Sequence, residues 1–415
     1  MNLSQIAWGA GVVGQLKATV DDYPYHLGPP TEDLIPYVSF DLSQKVKFNR
    51  SLRAQWKVYG LTNTSAKSPP ENFYGDIPEA LIEIKALDSK FRLGMNTINW
   101  GIVDVSSPSD VVNTLAIFHP LRTWKQGAPL VEFETGPDHF NVDLIYIPVQ
   151  RPPLLPSKDS RWLPREILLN TQSTEGQVIL PKPIAYEYDP PITFDHALNN
   201  NFGGKFSSHL GSWDFQVTHF EGSSPTPKVR PTIEIDSFNN FVARSPIHLA
   251  PVYYRVRTTG LGFVWAREKW IYRGETAYQH SITKDELVQP WSWTSVLAAE
   301  TNVSIASHNV TLLGQAYYSK NPRAADNMVS SSYRLFDGTG VLGARWAQSD
   351  VLSWTVSALY QLESQGLYAG LAFDNKLTDH LRWGLSWRNS SAAKEGLIKT
   401  YAKNSHGSLD MTYFF

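Results

Sequence analysis

Ser408-Leu409-Asp410-Met411-Thr412-Tyr413-Phe414-Phe415 ends the chain, and its alternation decides the fold. Leu409, Met411, Tyr413 and Phe415 are apolar; Ser408, Asp410 and Thr412 between them are polar, and Phe414 is the single break. Successive side chains of a strand point to opposite faces, so the octet makes one apolar face and one mostly polar face. A closing aromatic strand of this form suits a bacterial outer-membrane β-barrel, where alternate residues meet lipid and lumen. An ordinary half-buried edge strand at a chain end would read the same way, so the rest of the chain must discriminate.

The same two-residue period runs outward from the octet. Tyr37 to Phe48 sets Val38, Phe40, Leu42, Val46 and Phe48 against Ser39, Asp41, Ser43, Lys45 and Lys47. Leu52 to Tyr59, Ala80 to Leu87, Phe140 to Tyr146, Trp270 to Gln279, Trp354 to Leu362 and Leu381 to Arg388 alternate likewise. Short links near Asn49-Arg50, Asp88-Ser89, Pro137-Asp138, Gly211-Ser212, Arg267-Glu268-Lys269, Val303–Ser307, Ser349-Asp350 and Thr378-Asp379 take turns with long ones. That is the order of periplasmic turns and outer loops, and it predicts about 18 strands, an even number as closure requires. Thr232–Asp236 is placed inside a loop, because a strand there breaks the up–down parity. Trp213, Trp265, Trp270, Trp346, Trp354 and Trp383 cluster near short turns, as an interfacial aromatic girdle demands. The expected fold is all-β: one transmembrane antiparallel up-and-down β-barrel over residues 1–415, in a Gram-negative outer membrane.

Composition fits this. The chain has 415 residues, with 37 Lys+Arg against 39 Asp+Glu, so no strongly basic face is implied and nucleic acid is not an expected partner. The absence of Cys excludes disulfides, Cys-bound metals and a thiol nucleophile. No apolar run approaches the length of a transmembrane helix. No signal peptide is visible at Met1-Asn2-Leu3, so the numbering is expected to start near the mature protein.

Chemical motifs are few. Gly9-Ala-Gly11-Val-Val-Gly14 matches the dinucleotide fingerprint, but Tyr23-Pro-Tyr-His-Leu-Gly-Pro-Pro follows too soon for the helix that a phosphate site needs. A small-residue first strand explains it better. The 11 His lack metal-ligand spacing. No enzyme, cofactor or metal site is expected.

The polar faces carry the functional signal, since a barrel this wide is not filled by its own wall side chains. Expected pore-lining residues are Arg53, Lys57, Arg92, Glu132, Glu134, Arg255, Arg257, Arg273, Glu275, Arg345 and Arg382, with Arg255, Arg257, Arg273 and Glu275 forming one ladder. Two long links are expected to narrow the lumen or cover it. Residues 101–129 form the candidate constriction loop, entered through Asn99 and Trp100 and carrying Asp104, Asp110 and Asn113. Its apolar stretch Leu115-Ala116-Ile117-Phe118, and then Leu121, would be awkward in water and should fold inward or pack on the wall. Residues 150–201 hold eight prolines, which favours extended excursions over a helix. The row Leu409, Met411, Tyr413 and Phe415 is expected to face lipid and to be read by the barrel-assembly machinery.

Asn99-Trp100-Gly101 followed by Pro108-Ser109-Asp110, then Arg273-Gly274-Glu275-Thr276-Ala277-Tyr278 and Gln315-Ala316-Tyr317-Tyr318, resembles a family in that order. It is that of the large proteobacterial outer-membrane barrels of otherwise unassigned function, whose genes often accompany hydrocarbon or steroid catabolism. They are distantly similar to the alginate-export barrel and to porins. Ser107 stands where that family often has Asn. The resemblance implies an 18-strand channel and a lipid-like or hydrophobic cargo.

The function expected is an outer-membrane channel for passive or selective uptake of small, hydrophobic or amphipathic solutes, in contact with outer-membrane lipids and lipopolysaccharide. The alternatives are a sleeve housing a protein partner in its lumen, such as a cytochrome or lipoprotein, and a polysaccharide export channel.

Overall fold

The computed structural model describes residues 11–28, 31–118, 123–137, 139–164, 184–236, 242–305, 308–322, 338–394 and 397–415. Gly9, Leu121, Asp138, Pro181 and Pro183 lie outside the described residues.

The alternating segments become strands β1 (Val13–Asp22), β2 (Leu34–Lys47), β3 (Leu52–Asn63), β4 (Phe73–Ala86), β5 (Ser89–Asn96) and β6 (Ala128–Thr135). They continue as β7 (Phe140–Val149), β8 (Asn199–Leu210), β9 (Trp213–Ser223), β10 (Arg255–Arg267), β11 (Trp270–Ser281) and β12 (Trp291–Ile305). The last six are β13 (His308–Lys320), β14 (Thr339–Ala347), β15 (Leu352–Gln361), β16 (Gly366–Lys376), β17 (Leu381–Ala392) and β18 (His406–Phe414). Together they form an 18-stranded sheet, each strand antiparallel to the next, and β18 returns to β1. At that seam Gly14 N donates to Phe415 O (2.9 Å) and Phe415 N to Gly14 O (3.0 Å). Closure leaves no sheet edge, which is what a strand wall in hydrocarbon requires.

Short turns at 48–51, 87–88, 211–212, 268–269, 348–351 and 377–380 share the end where Phe415 lies, and the long loops share the other. Residues directly opposite in an antiparallel pair lie on one face. Tyr413 stands opposite Leu16, and Leu409 opposite both Val20 and Leu385. This row, with Phe40, Ile82, Phe206, Leu261, Leu297, Leu342 and Leu371, is apolar and exposed around the outside. An apolar belt of that extent is the surface of a membrane-spanning barrel. Near the short turns Trp213 stacks on Trp265 at 4.9 Å and Trp346 stands opposite Trp354, forming part of an aromatic girdle.

Outside the wall, Tyr186–Tyr188 and Ile192–Thr193 run parallel to Ile247–Tyr253, and Lys228–Thr232 pairs with it antiparallel. Ile184, Tyr186, Ile247 and Leu249 make its small core. Thr232–Asp236 therefore lies in loop sheets, not in the barrel.

Leu371 faces out from the middle of β16, and Ser357 on neighbouring β15 faces in. Leu371→Arg is expected to lose about 2–4 kcal/mol of unfolding free energy, the cost of a lipid-facing charge at mid-depth. Ser357→Arg should change it by less than about 1 kcal/mol. Urea unfolding in phospholipid vesicles, followed by Trp fluorescence, measures both; equal losses would contradict the assigned faces.

Candidate functional site: the constricted lumen

The inner faces of β3 to β7 carry a charge network set by register. Arg53 stands opposite Glu83, Glu83 opposite Arg92, Arg92 opposite Glu132, and Glu134 opposite Asp143. Arg92 sits at the centre: its Nε donates to Glu83 (2.9 Å), its Nη2 to Glu134 (2.9 Å), and its Nη1 to Glu132. Lys90 adds a bond to Glu134 (2.8 Å), and Lys57 pairs with Asp41 (2.8 Å). Arg92 and the three glutamates are thus spent largely on one another within the wall. On the far arc Arg345 points inward opposite Thr311 and Thr355, with no ion pair among the described residues. Arg382, inward on β17, lies with its guanidinium carbon 5.6 Å from the Phe414 ring centroid.

The four-residue ladder does not form. On β10, Val256 and Thr258 are buried inside, while Arg255 and Arg257 share the opposite face with Leu261 and Phe263. Arg255 and Arg257 thus point away from the lumen, toward Glu221 on β9. Strand parity, not charge, sets their side. Arg273 and Glu275 on β11 do face inward, opposite Val264 and Gly262.

The link between β5 and β6 covers residues 97–127, so Ala128 and Pro129 belong to the wall rather than to the loop. Its first half lies flat against the inner wall. Glu275, only 3% exposed, receives Ile102 N (3.0 Å), Ser107 Oγ (2.5 Å) and Ser109 N (2.7 Å). Arg273 bonds Asp104 (3.4 Å) and Glu300 (2.8 Å), Tyr317 Oη receives Ser106 N (3.1 Å), and Trp100 Nε1 donates to Asp143 (3.1 Å). Gln216 Nε2 donates to Trp100 O (2.5 Å). Glycines clear the path: a Cβ at Gly203 would meet Trp100, at Gly260 Ser109, and at Gly262 Ile102. Val103 packs with Val296, Ala298, Tyr317 and Val341.

Lys125 ties the loop to itself through Ile98 O (2.9 Å), Asn99 Oδ1 (2.8 Å) and Asp110 Oδ1 (2.6 Å). Asn113 receives Ile98 N (2.7 Å) and donates to Asn96 O and Gln126 O. The second half crosses to β1–β4: Ala116 and Phe118 are buried with Tyr23, Tyr37, Leu61 and Tyr74, and Phe118 stacks on Trp124 at 5.0 Å. The apolar stretch therefore packs inside the barrel.

The outer loops meet above that cluster. Arg161 stacks on Tyr23 at 3.7 Å and donates to Glu32 O (2.7 Å) and Tyr25 O (3.2 Å), while Asn404 Nδ2 donates to Arg161 O (3.1 Å). Burial there pushes the Tyr401 hydroxyl up to about 12. In the outer sheet, burial lowers the Lys228 ammonium to about 8.

Sequence reasoning gave Glu275 no individual role and missed Lys125, Arg161 and the three glycines. Inward parity marked Glu275 and the glycines, but nothing local says which loop they receive.

No family model and no curated protein matches the chain. Solved structures similar to it include a Salmonella typhi OmpF complex with daunomycin, at 9% identity and TM-score 0.47, covering 98% of this chain and 97% of that one. A triple mutant of the Rhodopseudomonas blastica porin gives 9% identity and TM-score 0.45, covering 98% and 99%.

Glu275→Ala leaves three loop donors without their acceptor. It is expected to cost about 2–4 kcal/mol and to raise single-channel conductance by loosening the loop. Glu275→Gln, with one acceptor oxygen, should fall between. A conductance unchanged in Glu275→Ala would show that this carboxylate does not hold the constriction.

Proposed function

We propose that this chain is an outer-membrane channel for passive entry of small solutes, narrowed by a fixed loop. The observation that carries this reading is the β5–β6 loop, whose described residues 97–118 and 123–127 fold into a closed barrel and are held to its inner wall by Glu275. The outer apolar belt supports placement in a membrane, and the short turns with Phe415 mark the periplasmic end. At the loop tip Asp104 and Val105 are both exposed, one charged and one apolar. Beside them Arg273 supplies a cation, Arg345 supplies another on β14, the strand whose Val341 packs against Val103, and Arg382 a third on β17. Such an eyelet suits a small amphipathic solute whose polar group is oriented while its apolar part slides along Val105. The luminal charges are of both signs, which favours this over export of an anionic polysaccharide.

Planar-bilayer recordings test it. The purified chain should give discrete ion currents, and removal of residues 102–108 should increase them about twofold or more. Silence from both proteins would overturn the channel. Silence from the intact chain together with a protein that co-purifies in the lumen would replace it with the sleeve.

A further inference from the structure

Arg255 and Arg257 sit on the lipid side of a membrane wall, where charge is expensive unless it lies at the rim and meets a counter-charge. We infer that the outer rim of β9–β13 is a docking strip for the phosphate groups of a phosphorylated glycolipid in the outer leaflet. The inference rests on the membrane reading of the barrel and is independent of conduction through it.

Register assembles the strip. Arg257 stands opposite Glu221 on β9 and His280 on β11; His280 stands opposite Trp291 on β12. One step nearer mid-membrane, Tyr278 stands opposite Trp293, and Trp293 opposite Lys320 at the outer end of β13. All share the face of Leu261 and Leu297, and all lie within a few residues of the long-loop end. Tyr278 and Trp291 hold their rings 6.4 Å apart, an interfacial aromatic pair beside the cations.

The bonding leaves capacity in the right places. Arg255 is consumed: Nη1 donates to Asn199 O (2.8 Å), Nη2 to Asn200 O (2.7 Å), and Nε to Glu221 (3.3 Å). Arg257 gives Glu221 its Nε alone (2.6 Å), so both terminal nitrogens lack a partner among the described residues, and the side chain is 55% exposed. Lys320 is exposed and has no ion pair among the described residues. Among its described residues the strip therefore holds three cations and one carboxylate, Glu221, with His280 on the strand next to Arg257. Arg257 and Lys320 are three strand spacings apart, roughly 15 Å, wide enough for separate phosphates. A guanidinium fork and an ammonium above an aromatic row match phosphate monoesters at a headgroup surface, while a neutral headgroup offers them nothing comparable.

The test uses the full chain in neutral phosphatidylcholine vesicles doped with a fluorescent phosphorylated lipid A, or with its dephosphorylated form. Energy transfer from Trp reads binding. The wild type should prefer the phosphorylated lipid, and Arg257→Gln/Lys320→Gln should weaken that binding about tenfold or more. Lys320→Glu alone, which breaks no ion pair or side-chain hydrogen bond among the described residues, should weaken it about fivefold or more and guards against misfolding of the double variant. Ion conductance should not change in either variant. Equal binding of the two lipids, or equal binding by wild type and variants, would overturn the proposal. Competition by inorganic phosphate as strong as by the lipid would reduce the strip to an anion site and also overturn it.

Discussion

Backbone hydrogen bonding in hydrocarbon is the constraint on which the rest of this molecule depends. A strand wall in lipid tolerates no free edge, so the pair Gly14–Phe415 must form and β1 must lie against β18. Once the ring closes, register links the faces of all 18 strands: alternate residues face lipid and lumen, with a bulge in β4 between Asp76 and Glu79 switching the parity within that strand. A ring of that circumference encloses more space than its inward side chains can fill. The chain fills part of it with residues 97–118 and 123–127.

The two halves of that loop are held by different physics. The first half meets a polar wall and is tied by charge-assisted hydrogen bonds to Glu275, Arg273 and Asp143. Such bonds are directional and fix a position. The second half meets Tyr23, Tyr37 and Tyr74 and is tied by apolar burial of Ala116 and Phe118. The outer loops close over this second region through Arg161, whose partners belong to two other loops. One side of the barrel is thereby roofed by aromatics, while the rim above β9–β13 presents cations outward.

Much of the architecture was legible because a period of two survives any tertiary context. Leu409 to Phe415, the alternation of short and long links, and the Trp positions near turns each constrain the same ring. Arg255 and Arg257 show where residue type and position disagree. Thr259, Leu261, Phe263 and Trp265 put their parity on the lipid side whatever their charge. Near a strand's outer end the apolar band stops, and charge no longer signals the lumen. The inward fold of Leu115–Phe118 was legible from its apolarity. Its partners were not, since Tyr23, Tyr74 and Trp162 come from distant parts of the chain. Glu275 was legible as inward but not as the acceptor for three loop donors, because that depends on where a loop more than 160 residues away comes to rest.

Gly203, Gly260 and Gly262 give the molecule a way to adjust its calibre by subtraction. The loop reaches the wall only where side chains are missing, so the bore is wider by the thickness of atoms that are not there. One methyl group at any of these positions would push the loop toward the barrel axis. The size limit of such a pore can therefore shift through residues that never touch the solute, with strand number, loop sequence and luminal charges all unchanged.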